Sequence, residues 1–578
     1  MIADKPQLDP KDGMALRVYL EALRSSLDGE YSTWFNHYVQ LAAVFAPRSP
    51  QWNYDDVDQG WRRDQIIMNA TGILDLRILK AGMLTGLSNP SQLWINLVCP
   101  RTELDQKPHI RQYLEAVRDK VLSVFAQSNV YETLLQAYGD EGLYGTTAFF
   151  IEEDPITKIR CHPYPIGSYR VGGGSDLRVD LLMRTIPMTV NQIVTTFGYK
   201  NCSDAVRVLY DSNAGGVKQE WRTVVHVVTK NTYYSVSNPL GEKPWMSVYY
   251  ELEAFRGPDG KTSTFNAGIL RRDGYTTCPF VVGRWLTYGE NFYGESPCMD
   301  ILGDNLGVQS YEEKIAMAVE KMMDPPMLAG SAMDARKLSC LPGDVVVGDE
   351  KEGQSAFKPI YQIKFEVRDA LGMVERAENR IHEGLYRNVF QAIGQTKTTQ
   401  PRTAEEIRAL QEEQLAVLGP VVERNIGDIH EPLVLRTLDI LQRRGELPKM
   451  PFELMNIPIK IEFQSVLVKA AKLSQAGGID RLIAFCGNEA AVQQGTMDIV
   501  NWDEATRKYA ELVGVPNKML NTEEQVQKMR ADRQYQQQQA QQADNAQKLA
   551  QAAGNLAGAD TQGKNALTAL APQLSRTG

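Results

Sequence analysis

The stretch that decides the fold runs from Tyr293 to Pro326: Tyr293-Gly294-Glu295-Ser296-Pro297, then CMDILGDNLGVQSYEEKIAMAVEKMM over 298–323, then Asp324-Pro325-Pro326. Serine is a favoured N-cap and proline suits the first helical position, so a helix opens at Ser296-Pro297. Ile301, Val308, Ile315 and Met322 recur every seven residues, the stripe of a helix that faces another helix. The two prolines end it, because proline donates no bond and clashes with the preceding turn. Short turns and strands follow to 365, among them Pro342-Gly343 and Val345-Val346-Val347. A second long helix starts near Glu366 and carries Leu371, Val374, Ile381 and Leu385. Two long helices that bracket a small irregular module make a hairpin with an elaborated tip.

Upstream, Leu16, Leu20, Leu23 and Leu27 form one helical stripe. Tyr31, Trp34, Phe35, Tyr38, Leu41 and Phe45 continue it on a second helix, which Pro47 closes. The segment from Gln65 to Leu87 repeats the pattern and stops at Asn89-Pro90. Helices over Pro108–Gln127 and Val130–Leu143 follow. Aromatic stripes of this kind read as core packing rather than as a cofactor box. From Thr146 to Tyr288 the character changes. Thr147–Glu152, Ser168–Val171, Thr223–Thr229, Val248–Ala254 and Phe280–Leu286 are short and rich in Val, Tyr and Phe, as strands are. Tyr250, Leu252 and Ala254 alternate with Glu251 and Glu253, which predicts one wet face. Short helices are expected at Val190–Phe197 and Ser203–Tyr210. The whole reads as α+β, mostly helical, with a mainly antiparallel sheet.

Downstream, Gln391 to Arg402 is a polar loop with Gly394, Lys397 and no acid. Thr403-Ala404-Glu405-Glu406 is a capping box. The helix it opens runs towards Arg444 with Gly419-Pro420 and Glu431-Pro432 inside it, so a kinked or segmented helix is expected. Pro458–Gln464 reads as a strand, and helices resume from Ser465 to Leu512. After Thr522 the chain is rich in Gln and Ala and helical at first. From Gly554 to Gly578 small and polar residues predict disorder.

The 578 residues are about four domains' worth of chain at roughly 150 each. Hydrophobic residues at 43% and charged residues at 23% exclude a collagen-like or wholly disordered protein. A net charge of −9 makes a general nucleic-acid coat a poor reading, since phosphate binding needs excess Lys and Arg. It does not exclude a protein that lets DNA pass without gripping it. The seven cysteines are scattered and never spaced C-x-x-C, which argues against a disulfide framework or zinc ribbon and fits a reducing compartment. Met1 to Gly13 has Asp and Pro where a signal peptide needs an apolar core. No stretch approaches the ~18 apolar residues that span a bilayer. These features point to synthesis in the cytoplasm without stable membrane insertion.

The chemistry of an enzyme is missing. Gly558 to Asn565 approaches the phosphate-loop pattern, but it lacks the Ser or Thr that would hold Mg²⁺ and follows no strand. The six histidines show no H-x-x-x-H pair, and Cys161 and His162, as strand neighbours, point to opposite faces. Asp300 and Asp304 share a helix face and could bind a cation, but read first as a solvated face. Glu152-Glu153-Asp154 reads as a charge cluster at a strand end. No catalytic residue, cofactor or metal is expected.

The order of parts carries a resemblance. Gln92-Leu93-Trp94-Ile95-Asn96-Leu97 follows a helix, and Ser128-Asn129-Val130-Tyr131 precedes the helix that ends in Tyr144-Gly145. Tyr293-Gly294-Glu295-Ser296-Pro297 opens the first long helix. Arg402-Thr403-Ala404-Glu405-Glu406-Ile407-Arg408 and Thr522-Glu523-Glu524-Gln525 complete the series. In this order and spacing the chain resembles the portal, or head-to-tail connector, proteins of short-tailed, podovirus-type bacteriophages, over nearly its whole length.

The resemblance implies a ring, normally of twelve copies, at one capsid vertex. Double-stranded viral DNA is pumped through its axial channel by a separate terminase and later leaves through it into the tail. On this mapping 1–296 is the wing, 297–323 and 366–390 are stem helices and 324–365 is the clip. Residues 391–402 form a channel loop, with Gln395, Lys397, Thr398 and Arg402 as candidates to face DNA. Residues 403–464 form the kinked helix and the return strand of the wing, with Gly419 and Pro420 as hinge. Residues 465–522 form the crown, 523–553 a barrel helix and 554–578 a disordered tail. Asp334, Arg336 and Lys337 in the clip are candidates to face the terminase or tail. Implied partners are the terminase, the major capsid and scaffolding proteins, a tail adaptor and internal core proteins. An acidic conduit fits, because it repels phosphate and leaves no affinity to overcome in transit. Lys397 and Arg402 would add a local attraction, or be no more than an ordinary solvated loop. The rivals are the packaging ATPase, which needs an intact phosphate loop, a head or tail-adaptor protein without a conduit role, and a membrane pore.

Overall fold

Gly13–Phe45 forms one helix, α1, where the stripes read as two. Gly29 lies on its exposed side, and the chain is tied across it. Arg24 bridges Glu21 and Asp28, while Arg170 pairs with Asp28 at 2.9 Å and lies 3.7 Å over the Tyr31 ring. The computed structural model describes residues 13–48, 65–101, 104, 107–174, 176–212, 220–231, 243–252, 268–323, 327–329, 357–359, 367–394, 418–454, 459–463, 501–506 and 523–557. Two units are present, Met1–Ser474 and Gln475–Gly578.

In the first unit α2 (Thr71–Leu87) begins later than Gln65, because Asn69 Oδ1 accepts from Thr71 N at 2.8 Å and holds a turn ahead of it. Then come β1 (Ile95–Val98), α3 (Pro108–Gln127) and α4 (Val130–Tyr144). Gly145 ends α4 with φ +76, and a Cβ there would lie 2.2 Å from Gly294 O, so only glycine fits.

A three-stranded antiparallel sheet follows, in the order β3-β2-β9: β2 is Thr146–Asp154, β3 Lys158–Tyr164 and β9 Phe280–Arg284. A five-stranded antiparallel meander is made by β4 (Tyr169–Gly173), β5 (Val179–Thr189), β6 (Trp221–Lys230), β7 (Trp245–Glu251) and β8 (Ile269–Tyr275). Helices α5 (Val190–Phe197) and α6 (Asp204–Asp211) lie between β5 and β6. The run Val224-Val225-His226-Val227-Val228 is buried on both faces. Val225 and Val227 pack with Leu16 and Leu20 of α1, and Val224 packs with Ile193 and Phe197 of α5.

The wet face predicted for β7 is absent at Glu251. This side chain is 4% exposed, and it accepts from the backbone N–H of Ser203 at 2.9 Å and from the Ser203 hydroxyl. Ser203 caps α6, so the carboxylate is covered by the helix start it helps to hold.

The hairpin comes next. Ser296 Oγ accepts from Met299 N at 3.2 Å and donates to Leu143 O at 2.8 Å. It opens α7 (Pro297–Asp300), and after a hitch at Ile301 the helix continues as α8 (Leu302–Met323). Strands β10 (Met327–Ala329) and β11 (Phe357–Pro359) pair antiparallel at the base of the tip. The return helix α9 spans Val367–Gly384, and a separate helix, α10, spans Arg387–Gly394. The single helix expected over 366–390 is therefore broken at Leu385-Tyr386. Gln391 to Gly394, expected in a loop, are helical.

Residues 418–425 are helical, Ile426–His430 make a π-helical turn, and α11 is Glu431–Arg443. Strand β12 (Lys460–Phe463) returns to pair antiparallel with β1, Ile95 opposite Phe463. In the second unit α12 spans Glu523–Ala557, a little past the expected end of the barrel helix. No helix among the described residues is long and apolar enough to cross a membrane.

Candidate functional site

Most of the residues singled out from the sequence lie outside the described residues: Gln395, Lys397, Thr398 and Arg402, and in the tip Asp334, Arg336 and Lys337. Gly419 and Pro420 are described, in helical backbone, with Pro420 exposed. The irregularity seen in this helix lies further on, at Ile426–His430. There Glu431 N–H donates to Ile426 O, five residues back, and Pro432 follows at the start of α11. Proline has no N–H to give to residue 428 and crowds its carbonyl, which accounts for the widened turn.

The hairpin is clamped to the body by the residues that lead into α2. Gln309 of α8 accepts from Met68 N at 2.7 Å and Asn69 N at 2.9 Å, and donates back to Asn69 O at 2.7 Å. Asn69 Nδ2 donates to Glu378 of α9 at 2.8 Å and to Glu312 of α8 at 3.3 Å. One asparagine thus ties both helices. Asp304 and Arg380 pair across the hairpin at 2.6 Å with the guanidinium at the surface, and Asp300 is exposed, in keeping with the solvated face expected.

The heptad stripe of α8 is buried at its base and bare towards the tip. Ile301 and Val308 are in the core and Ile315 packs at its edge. Tyr311, Met317, Met322, Met323, Leu371 and Met373 are exposed, Met323 by 82%. These side chains give the hairpin apolar flanks.

At the break between α9 and α10, Tyr386 adopts φ +54, a left-handed conformation unusual for a tyrosine. Its ring lies 6.1 Å from that of Trp285. The carboxylate of Asp75, on α2 and 0% exposed, meets His382 Nδ1 with one oxygen and Arg387 Nη1 at 2.9 Å with the other. Phe390 of α10 lies over Gly82 of α2, where a Cβ would come within 2.2 Å of its ring.

A second buried acid faces the π-turn. Glu141 of α4 has both carboxyl oxygens buried without a hydrogen-bond partner among the described residues. A Cβ on Gly283 would lie 2.3 Å from Glu141 Oε1 and 2.5 Å from Ile429. Burial pushes the Glu141 carboxyl up to about 8; Asn425 partly offsets this, while Asp428 and Asp140 push the same way. Asp428 itself is held by Arg284 Nε at 3.0 Å. Beside it His430 contacts the Tyr138 hydroxyl at 2.7 Å through Nε2, and burial brings its pKa down to about 3. His226, stacked 3.9 Å on Tyr249, is also brought to about 3, by burial first and then by Arg184 and Arg271.

The sequence reading missed Asp75, His382, Arg387 and Glu141. The signal was there in part, as an acid in the apolar register of a helix: Asp75 beside Leu76 and Leu79, Glu141 beside Tyr138 and Leu143. Glu153 pairs with Arg443 at 3.4 Å, and Asp154 caps the turn at Thr157, so the acids at the end of β2 have structural partners. Among the described residues no group of His, Cys, Asp and Glu is arranged to hold a metal.

The sequence matches the family described as "Bacteriophage head to tail connecting protein" over residues 18–520. It is 31% identical over 553 residues to the "Portal protein" of Salmonella phage epsilon15, covering 95% of this chain and 96% of that one. It is 29% identical over 540 residues to the "Probable portal protein" of Bordetella phage BPP-1, covering 93% and 95%. A likeness to a chain from the neck of an empty gene transfer agent particle is too loose to fix a fold: 12% identity and a TM-score of 0.35, over 78% of this chain and 94% of that one. A family match that takes in body, hairpin and bent helix together leaves one conclusion: the chain belongs to the bacteriophage head-to-tail connecting proteins.

Proposed function

We propose that the chain is the subunit of a closed portal ring at the head–tail connection, through which double-stranded viral DNA enters the head during packaging and leaves at ejection, and onto which the tail docks. The similarity to two portal proteins over more than nine-tenths of the chain supports the connector role. One observation carries the ring. The hairpin is fixed to its own body through Asn69 and Gln309, yet exposes apolar side chains at Met317, Met322, Met323 and Leu371. A helix face of this kind needs cover, and identical neighbours in a closed cycle provide it without leaving a free end.

In this reading 297–323 and the broken helix 367–394 are the stem, 324–365 the clip that meets terminase or tail, and 395–402 faces the bore with Lys397 and Arg402. The second stem helix bends before it reaches the bore. Twelve is the expected copy number. Capsid, scaffolding and tail-adaptor proteins are the expected partners. The protein works as a conduit and holds no catalytic centre; the ATP-driven step belongs to the terminase. Electron microscopy of the purified full chain, viewed end-on, tests this. Closed rings with an axial hole wide enough for duplex DNA are expected, and solid discs or monomers at all concentrations would refute it.

A further inference from the structure

Positions 382 and 387 of a straight helix lie about 140° apart around its axis, and positions 381 and 390 about 180° apart. In this chain His382 and Arg387 reach the same Asp75 carboxylate, and Ile381 and Phe390 are both buried in the same core as α2. Only the break at Leu385-Tyr386 makes this possible. The break is not what the local sequence favours. A glycine stands two residues away at 384, but the left-handed position falls on Tyr386. Gly384 serves instead for close packing, since a Cβ there would lie 2.4 Å from Ile301 Cγ2. A tyrosine held left-handed is sterically strained, and the surrounding contacts must hold it there.

We infer that Asp75 is a latch that keeps this helix bent, and that losing the latch lets Arg387–Gly394 swing into line with α9 as one continuous helix. The carboxylate takes one donor from before the elbow and one from after it, so it stabilises the bent form alone. Seating Phe390 over Gly82 adds to the same side of the balance. The two forms of one segment differ in where they carry the chain beyond Gly394. The use of that difference rests on the conduit reading; the latch does not.

The experiment is hydrogen–deuterium exchange on the purified full chain, comparing wild type with Asp75→Asn and Arg387→Gln. In the bent form the amides of Arg387, Asn388 and Val389 stand at a helix start and have no intrahelical acceptor. In the straight form they bond to carbonyls four residues back and are protected. Exchange at 387–389 is expected to slow at least tenfold in both variants, with Val130–Tyr144 unchanged. Simple loosening of the packing would speed exchange instead. Faster or unchanged exchange at 387–389 therefore overturns the latch. Arg387→Gln leaves the buried Asp75 with His382, so it reports even where Asp75→Asn does not fold. Slowed exchange with normal DNA content in packaged heads would keep the latch and count against a bore-facing position for the chain after Gly394.

Discussion

Glu141 is a carboxyl group with no counter-charge of its own, enclosed by Gly283, Ile429 and the side chain of Asn425. A carboxyl in such a place keeps its proton, because burial penalises the charged form. Its pKa rises from an ordinary 4.5 to about 8, so between these values the folded protein binds a proton that the unfolded chain has released. The stability this group contributes is full below pH 4.5 and is lost as pH rises towards 8. Glu141→Gln keeps the shape and removes the titration. The thermal midpoint of the variant, relative to wild type, is expected to climb between pH 6 and pH 8.5; a flat difference would mean that Glu141 is ionised in the fold. His226 and His430 act in the opposite sense. Held near 3 from an ordinary 6.5, they contribute stability above pH 6.5 that is lost as pH falls.

Two helical glycines on different elements respond in opposite ways to the same added methyl group. On α2, Gly82 has the Phe390 ring where its Cβ would go, at 2.2 Å. Gly82→Ala must displace α10, an overpacking that costs about 1–3 kcal/mol. In the π-turn, Gly427 has open space and no left-handed φ. Gly427→Ala should stabilise by about 0.5–1 kcal/mol, because alanine loses less backbone freedom than glycine. Thermal unfolding of the two variants beside wild type checks both signs. A stabilising Gly82→Ala would mean that α10 is not seated on α2.

For the whole molecule, the bare end of the hairpin sets the expectation. Burying a methionine or leucine side chain is worth about 1.5–3 kcal/mol, and a ring repeats the contact at every junction. Met322→Glu with Leu371→Glu should leave the body folded and shift sedimentation from rings to small species, since neither side chain packs in the core. Rings of unchanged stability would place the subunit contacts elsewhere. The conduit itself is tested at Lys397. Lys397→Glu should leave rings intact and reduce the packaged DNA length, more so at low salt, where screening beyond the ~8 Å Debye length of physiological salt is lost. Equal lengths at both salts would remove Lys397 from the bore.

Much of the element order was legible in the sequence, because local rules fix it. Ser296-Pro297 opened its helix as an N-cap followed by proline, the capped helices after Thr189 and Ser203 stand where expected, and Pro432 disturbs its helix. Strand β6 was visible as a short run rich in valine, and the fold buries that run on both faces. Strands β3, β5 and β8 were not read: Lys158–Tyr164 and Ile269–Tyr275 lie at sheet edges, carry charge and owe their extended form to a neighbour's hydrogen bonds, while the central Val179–Thr189 carries Asp180, Arg184 and Pro187, which local rules count against a strand. The sequence pattern alone determined a helical body, a β-rich insert, a helix hairpin and the family resemblance. Tertiary structure decided where the hairpin helix bends, which acids are buried, and which residues meet across the break. Helical periodicity places side chains on a face but does not say what faces them. At Tyr386 the contacts of Asp75 with His382 and Arg387, and of Gly82 with Phe390, outweigh the local preference for a straight helix.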